Sequence, residues 1–540
     1  MSTYTEVTTD SGRRIAAGDY EIDHKADVLV IGGSLAGAWA ALAAARAGAR
    51  VVLAEKGWMG TAGVVAAASV GGYYALPDDP AQREGVIGVR HQESRGLDDL
   101  GYVERVYDQS YRSFTELRAA GFASARLGAF PGPDSMAFLR RQLLAAKVKI
   151  LDHSPALELL QTADGAVAGA AGIQRKSGEA WRVRAGAVVL ATGGNAFLSG
   201  AQGTNGLTGD GYLMGAEAGA RLQGMEFSGH YGLTPAEGSC TKGGMYFSGH
   251  IYDDAGARLD PLPSWFAVPN VARTLLSGGK AWVVLDKAAP EQHDTHRRQS
   301  PNFYQYFSRR GVDPFRQRWP VKLTYEGTVR AAGGLLVDEG CATGVPGLYA
   351  AGDVTDRCRL TGAFLSGAGP AVAWCVASGE WAGQGAAAFA RALGKGAHAR
   401  QVKGAGACGL RPGGGATGAG KGPGGRETIA RVQEEILPLE KNFFRDGKQL
   451  TASLGRLDAL WTAARAELSA AGPRELLKAR EAAALAASAR WIYRAALART
   501  ESRGLHRRSD FPEEDPAQRH HLVLSGVDEI RIARREALPA

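Results

Sequence analysis

Hydrophobic and polar positions along the chain fall into two regimes. In the first, short unbroken apolar runs alternate with alanine-rich stretches. Asp27-Val-Leu-Val-Ile31 is one such run, the pattern of a strand covered on both faces. Ala38 to Ala47 follows as a predicted helix, Gly48 ends it, and Arg50-Val-Val-Leu-Ala54 predicts a second strand. Two later runs end in turn residues. Ala187-Val-Val-Leu-Ala leads into Thr192-Gly193-Gly194, and Gly347-Leu-Tyr-Ala-Ala leads into Gly352-Asp353. In the second regime, Glu427 to Glu467 and Pro473 to Arg499 alternate apolar and charged residues at helical spacing, which predicts a C-terminal helical unit. Between the regimes, Gly394 to Gly425 is rich in Gly, Ala and Lys. That composition predicts a linker or long loop without a core.

Composition narrows the class. With 45% hydrophobic and 22% charged residues, the 540-residue chain is globular rather than disordered. The formal charge of +8 is too dilute for a nucleic-acid footprint, and no helix-turn-helix or aromatic–basic platform is evident. The cysteines, Cys240, Cys341, Cys358, Cys375 and Cys408, form no C-x-x-C pair, so the expectation is no metal site and no iron–sulfur cluster in this chain. Their odd number favours a reducing, cytoplasmic setting. Met1 to Lys25 lacks the basic and apolar regions of a signal peptide. The apolar stretch Val28 to Leu53 carries Arg46, Arg50 and several glycines, so a buried strand–helix–strand is expected there rather than a membrane span.

The 74 glycines are the unusual feature, because glycine lets backbone approach a ligand closely. Gly32-Gly33-Ser34-Leu35-Ala36-Gly37 sits between the first predicted strand and helix, the context that makes a glycine pattern a dinucleotide site. Gly32 and Gly33 permit the tight turn, the helix start near Ala36 offers N–H groups to a pyrophosphate, and Gly37 allows close strand–helix packing. Ser34 departs from the glycine expected at its position. Glu55, with Lys56 beside it, closes the second strand where an acid can accept from ribose hydroxyls.

Thr192-Gly193-Gly194 and Gly352-Asp353 resemble the adenosine-side turn and the ribityl-side Gly-Asp of two-dinucleotide-binding flavoproteins. That resemblance implies FAD, and the lack of a second complete fingerprint argues against a pyridine-nucleotide reductase. Further segments are similar to the fumarate reductase and succinate dehydrogenase flavoprotein family, which includes L-aspartate oxidase and the adenylylsulfate reductase α subunit. They are Gly203-Thr-Asn205-Gly-Leu-Thr208-Gly209-Asp210-Gly211 with Met225-Glu226-Phe227, Tyr252 to Leu259, Gly333-Gly334, Arg359-Leu-Thr-Gly362, and Glu501-Ser-Arg-Gly-Leu-His-Arg-Arg-Ser-Asp-Phe-Pro512.

The resemblance implies an α/β fold with a two-dinucleotide-binding (Rossmann-like) FAD domain over residues 27–234 and 333–389, preceded by a tail over 1–26. An inserted α+β capping domain spans 235–332, with Trp265, Trp282, Tyr304, Tyr306 and Trp319 as core aromatics. A linker covers 390–425, and a C-terminal helical domain and tail cover 426–540. It implies an FAD-dependent oxidoreductase passing a hydride between flavin N5 and a small anionic, carboxylate-like substrate. Asn205, Thr208, Gly209 and Asp210 join the cofactor set. Arg359 falls on the family's carboxylate-binding arginine, Thr208 and Glu226 fall near substrate-facing positions, and His230 falls within one residue of a family histidine.

Departures shape the expectation. Ala62-Gly63-Val64 replaces the Ser-His-Thr that links flavin covalently, so FAD is expected to be noncovalent. Val329-Arg330-Ala331-Ala332 lacks the family histidine, and Arg330 is a candidate replacement as anion clamp. Val268 to Arg273 lacks the proton-shuttle arginine, so the expectation is a small anion other than fumarate as substrate, or chemistry on a different bond. Two alternatives remain at this point. One is a flavin subunit handing electrons to a separate iron–sulfur or ferredoxin-like partner, with the basic tail around Arg503, Arg507 and Arg508 as an acidic-partner surface or packed inward. The other is a flavin-binding protein without turnover.

Overall fold

The computed structural model describes residues 7–8, 14–15, 20–67, 69–71, 75–122, 129–241, 243–260, 267–364, 368–405, 424–468, 470 and 472–536. The predicted apolar runs become the centre of an eight-stranded sheet. Strand β1 (Ile22–Ile31) leads into helix α1 (Leu35–Arg46) and strand β2 (Val51–Ala54), and β3 (Lys149–Leu151) extends the parallel side. A meander, β4 (Ala156–Gln161), β5 (Val167–Ile173) and β6 (Ala180–Leu190), returns to the centre. The eleven-residue β6 has two roles. Its first half pairs antiparallel with β5, and its last three residues pair parallel with a late strand, Leu348–Ala350.

Register then fixes where the site lies. Ile31 pairs with both Ala54 and Leu190, Ala54 with Leu151, and Leu190 with Ala350. The strands therefore end level, and the turns after residues 31, 54, 190 and 350 line one edge, the crevice where open α/β sheets bind ligands.

Helix α1 is packed through small residues. A Cβ on Gly379 would lie 2.7 Å from the Ala36 carbonyl, and one on Gly383 would overlap that of Ala40. Only glycine lets the long helix Ala368–Ala392 come this close. Trp39 Nε1 locks the seam by donating to Glu380 at 3.0 Å.

A second core lies in the inserted region. The four-stranded antiparallel sheet there runs Tyr231–Pro235, Trp319–Tyr325, Ala281–Val284 and His250–Tyr252 in spatial order. It buries Tyr246, Val283, Phe303, Tyr304, Phe307 and Trp319 together. Tyr304 and Trp319 are core residues there, Tyr306 packs at its margin, and Trp282 donates to Asp254. Trp265 lies outside the described residues.

The glycine-rich stretch differs from a coreless loop over its described part. Gly394–His398 forms a 3-10 turn, and Lys403–Gly404 adds an edge strand beside Leu160 and Gln161. Backbone pairing needs no apolar side chains, which is why composition gave no sign of it. Residues 406–423 of the predicted linker lie outside the described residues. Helices Gly425–Ile436, Gly447–Glu467 and Pro473–Ala498 follow. Residues Ala479 to Tyr493 of the last of these are buried, packed against the two helices before it and against helix Asp210–Glu217. No helix among the described residues is long and apolar enough to cross a membrane.

Candidate functional site

A cavity of about 350 Å³ runs along the level strand ends. Of the predicted cofactor residues, Gly32, Ser34, Ala36, Glu55, Lys56, Thr192, Gly193, Asp210 and Asp353 line it. Others shape it from behind. Gly33 N–H donates to Glu55 Oε2 at 2.6 Å, and Gly57 N–H donates to Oε1 at 2.7 Å. One carboxylate thus ties the first glycine turn to the second. Gly32 adopts φ +103°, and a Cβ there would collide with the Ala191 carbonyl. A Cβ on Gly37 would collide with the Gly32 carbonyl. Gly352, at φ +74°, lets its loop approach Ala36.

Lys56 shows how charge is arranged in the wall. Its Nζ lies 2.9 Å from Asp210, 2.7 Å from Glu481 and 3.0 Å from Thr208 Oγ1. Burial works against the ammonium, but Asp210 and Glu481 outweigh it and hold Lys56 above the usual lysine range. Glu481 comes from helix Pro473–Ala498, and nothing in the local sequence pointed to it. Ala62 and Gly63, from the segment where the covalent flavin link would stand, line the cavity too, as do Trp58, Ala156, Arg175 and Cys375, which carry no recognisable motif.

Three predicted cofactor residues lie elsewhere. Gly194 packs on Val329, Gly209 sits at φ +75° before helix Asp210–Glu217, and Asn205 accepts the Gly200 N–H on an exposed turn.

The candidate substrate residues separate into groups. His230 and Arg330 come together: His230 Nε2 lies 3.5 Å and Arg330 Nε 3.3 Å from Glu326 Oε2. Thr208 stays with Lys56 and Asp210. Glu226 is fully buried and accepts from Arg499 Nε at 2.9 Å. Burial pushes its carboxyl up, opposed by Arg499. Arg359 does not join His230 and Arg330. It pairs with Asp99 at 2.6 Å and Glu339 at 3.3 Å, and lies 4.0 Å over the Tyr102 ring. Its neighbour Arg357 turns inward instead, to Asp353 at 2.5 Å and to the carbonyls of Thr328, Val329 and Ala331. The tail arginines also turn inward: Arg503 and Arg508 are buried, and Arg507 donates to the Gly229 carbonyl.

Two family models match the sequence. One, described as the FAD binding domain, covers residues 108–370, and the other, the fumarate reductase flavoprotein C-terminus, covers residues 434–536. The chain thus carries an FAD binding domain followed by a fumarate reductase flavoprotein C-terminal domain. Among similar proteins, the L-aspartate oxidase of Mycobacterium tuberculosis H37Rv is 28% identical, over 95% of this chain and 98% of the relative. That of Caulobacter vibrioides is 26% identical, over 92% and 96%. Solved structures agree in fold. A mutant of E. coli quinol fumarate reductase FrdA superposes with TM-score 0.80 at 22% identity, covering 96% of this chain and 98% of that one. Archaeoglobus fulgidus adenylylsulfate reductase gives 0.76 at 18% identity, covering 97% and 99%.

With an FAD binding domain and L-aspartate oxidases as full-length relatives, the chain is an FAD-dependent oxidoreductase. Its cavity fits that cofactor. The start of α1 presents N–H groups that Ser34 leaves uncapped, suited to a pyrophosphate. Thr192 Oγ1, buried in the wall, has no hydrogen-bond partner among the described residues. Gly32, Gly37 and Gly352 leave no room for a side chain. Bound there, FAD supplies two-electron redox chemistry that no side chain offers.

Proposed function

We propose that this enzyme oxidises a small carboxylate-bearing molecule that His230 and Arg330 receive. The meeting of these two residues on Glu326 carries the reading. They come from segments far apart in sequence, and both are less buried than the carboxylate between them. A planar guanidinium matches a carboxylate edge, and an imidazole nitrogen can take a proton from a bound substrate. The relatives are named for oxidation of L-aspartate. We carry that substrate class, a small amino or hydroxy acid, to this chain.

Arg359 is left out of the clamp, because its guanidinium already faces Asp99 and Glu339. A reducing compartment such as the cytoplasm suits the buried free thiols Cys240, Cys341, Cys358 and Cys375.

The test is anaerobic mixing of the holoenzyme with L-aspartate, other amino and hydroxy acids, succinate, and sulfite with adenylate. Bleaching of the flavin's visible band by a carboxylate substrate supports the reading. Bleaching by sulfite and adenylate alone overturns it. Reoxidation then identifies the acceptor. Fast reaction with O₂ marks an oxidase, and fast reaction only with a ferredoxin marks a subunit with an iron–sulfur partner.

A further inference from the structure

Glu326 follows strand Trp319–Tyr325, and its side chain is fully buried. A buried carboxylate is tolerated only where charge and hydrogen bonds compensate it. Here three segments do so. The Thr241 hydroxyl donates to Oε1 at 2.6 Å. Arg330 Nε and His230 Nε2 lie 3.3 and 3.5 Å from Oε2. Backbone fixes the pair, since Glu326 N–H donates to the His230 carbonyl at 3.1 Å. Gly232 keeps the space open, for a Cβ there would lie 2.9 Å from Oε2. The carboxylate stands behind, with 23% of the His230 side chain and 13% of the Arg330 side chain exposed in front of it. The nearby cations Arg357 and Arg507 are bonded to the carbonyls of Thr328 and Gly229.

We propose that Glu326 is a positioning residue of the substrate site: it orients the His230 imidazole and sets the net charge that an incoming anion meets. This rests on the reading of His230 and Arg330 as the substrate-facing pair. A neutral imidazole that turns Nε2–H toward Oε2, 3.5 Å away, keeps its lone pair on Nδ1. It takes the proton from a substrate N–H or O–H. The adjacent C–H hydrogen leaves with its electron pair to the flavin of the loaded enzyme, and the carbon gains a double bond to that N or O. The imidazolium so formed is stabilised by the carboxylate beside it. The same carboxylate offsets part of the Arg330 charge and so weakens anion binding. Its loss therefore has two effects of opposite sign, which a carboxylate with only a packing role would not produce.

The experiment compares wild-type holoenzyme with Glu326→Gln, Glu326→Asp and Thr241→Val. Malonate affinity is read from its perturbation of the flavin spectrum, and kcat and KM are measured with the substrate found to bleach the wild type. Glu326→Gln is expected to bind malonate about tenfold more tightly while kcat falls at least tenfold. Glu326→Asp restores kcat in large part, and Thr241→Val moves both quantities in the direction of Glu326→Gln by less. If Glu326→Gln weakens malonate binding and kcat together, or changes neither, the positioning role is wrong while the anion reading stands. If wild-type enzyme responds to neither malonate nor any carboxylate substrate, the anion reading fails and takes this proposal with it.

Discussion

Ser34 and Gly63 share one space. A Cβ built on Gly63 would overlap both Oγ and Cβ of Ser34, and Gly63 itself adopts φ +79°. The serine in the first glycine turn is thus accommodated by a glycine in the second cavity segment. Its hydroxyl makes no capping bond to α1. The two departures from the family pattern, Ser34 for glycine and Gly63 where the covalent histidine is expected, are therefore one structural event.

This pairing predicts how the flavin is held. Acid precipitation of the holoenzyme should release all of it into the supernatant. Gly63→Ala should destabilise the fold by about 1–3 kcal/mol, through overlap and left-handed backbone strain, and lower FAD content. Gly63→His alone should not retain flavin after acid precipitation, because Ser34 fills the side-chain path. Retained colour in that pellet would contradict the shared-space account.

Glu481 should govern FAD retention. It is one of two carboxylates holding the half-buried Lys56 ammonium in the cavity wall. Glu481→Gln is expected to raise the FAD dissociation constant roughly tenfold, read by flavin fluorescence, because a charge-assisted bond becomes a neutral one. Lys478→Ala removes only the half-exposed outer partner of Glu481 and should stay within about twofold.

Arg359→Ala should leave malonate affinity and kcat within about twofold. Its bonds to Asp99 and its stacking on Tyr102 secure the segment against helix Leu100–Ala119. The expected cost is stability alone, about 1 kcal/mol, visible as a lower Tm. A hundredfold loss of kcat with unchanged Tm would return Arg359 to the substrate site.

Asp356 makes stability depend on pH. Burial pushes its carboxyl up to about 7, opposed by Arg535 and by hydrogen bonds that include Gln223 Nε2 at 2.9 Å. The folded chain therefore keeps a proton that the unfolded chain releases above about 4. The stabilisation is full below that value and is lost as pH rises through about 7. Asp356→Asn should gain on wild type between pH 5 and pH 8, by up to ~3 kcal/mol. Denaturant titrations at the two pH values would show it. Equal differences at both would refute the assignment.

The parts legible in sequence were the local ones. The apolar run before Gly32, the alanine-rich helix and Glu55 lie within about thirty residues, and their pattern predicts strand, turn and helix directly. Thr192 and Asp353 were legible for the same reason, each sitting in a turn that ends a buried strand. Arg359 shows where this stops. Arg359 lies in the short helical turn Cys358–Thr361 and Arg357 stands just before it, and the turn sends Arg357 inward and Arg359 toward Asp99. No periodicity reveals the phase of a four-residue helix. Glu326 and Glu481 were invisible because their partners, His230 and Lys56, are brought to them only by tertiary packing.

The helix Pro473–Ala498 has a consequence for how the enzyme is made. A chain still emerging from the ribosome can form the first strand, turn and helix early, but it has no carboxylate to place beside Lys56 until residue 481 has been synthesised and packed. Domains that close over late segments finish folding after translation of those segments. Flavin capture is thus tied to a late step of biosynthesis, and forms cut short before this helix would be colourless even with the whole glycine turn intact.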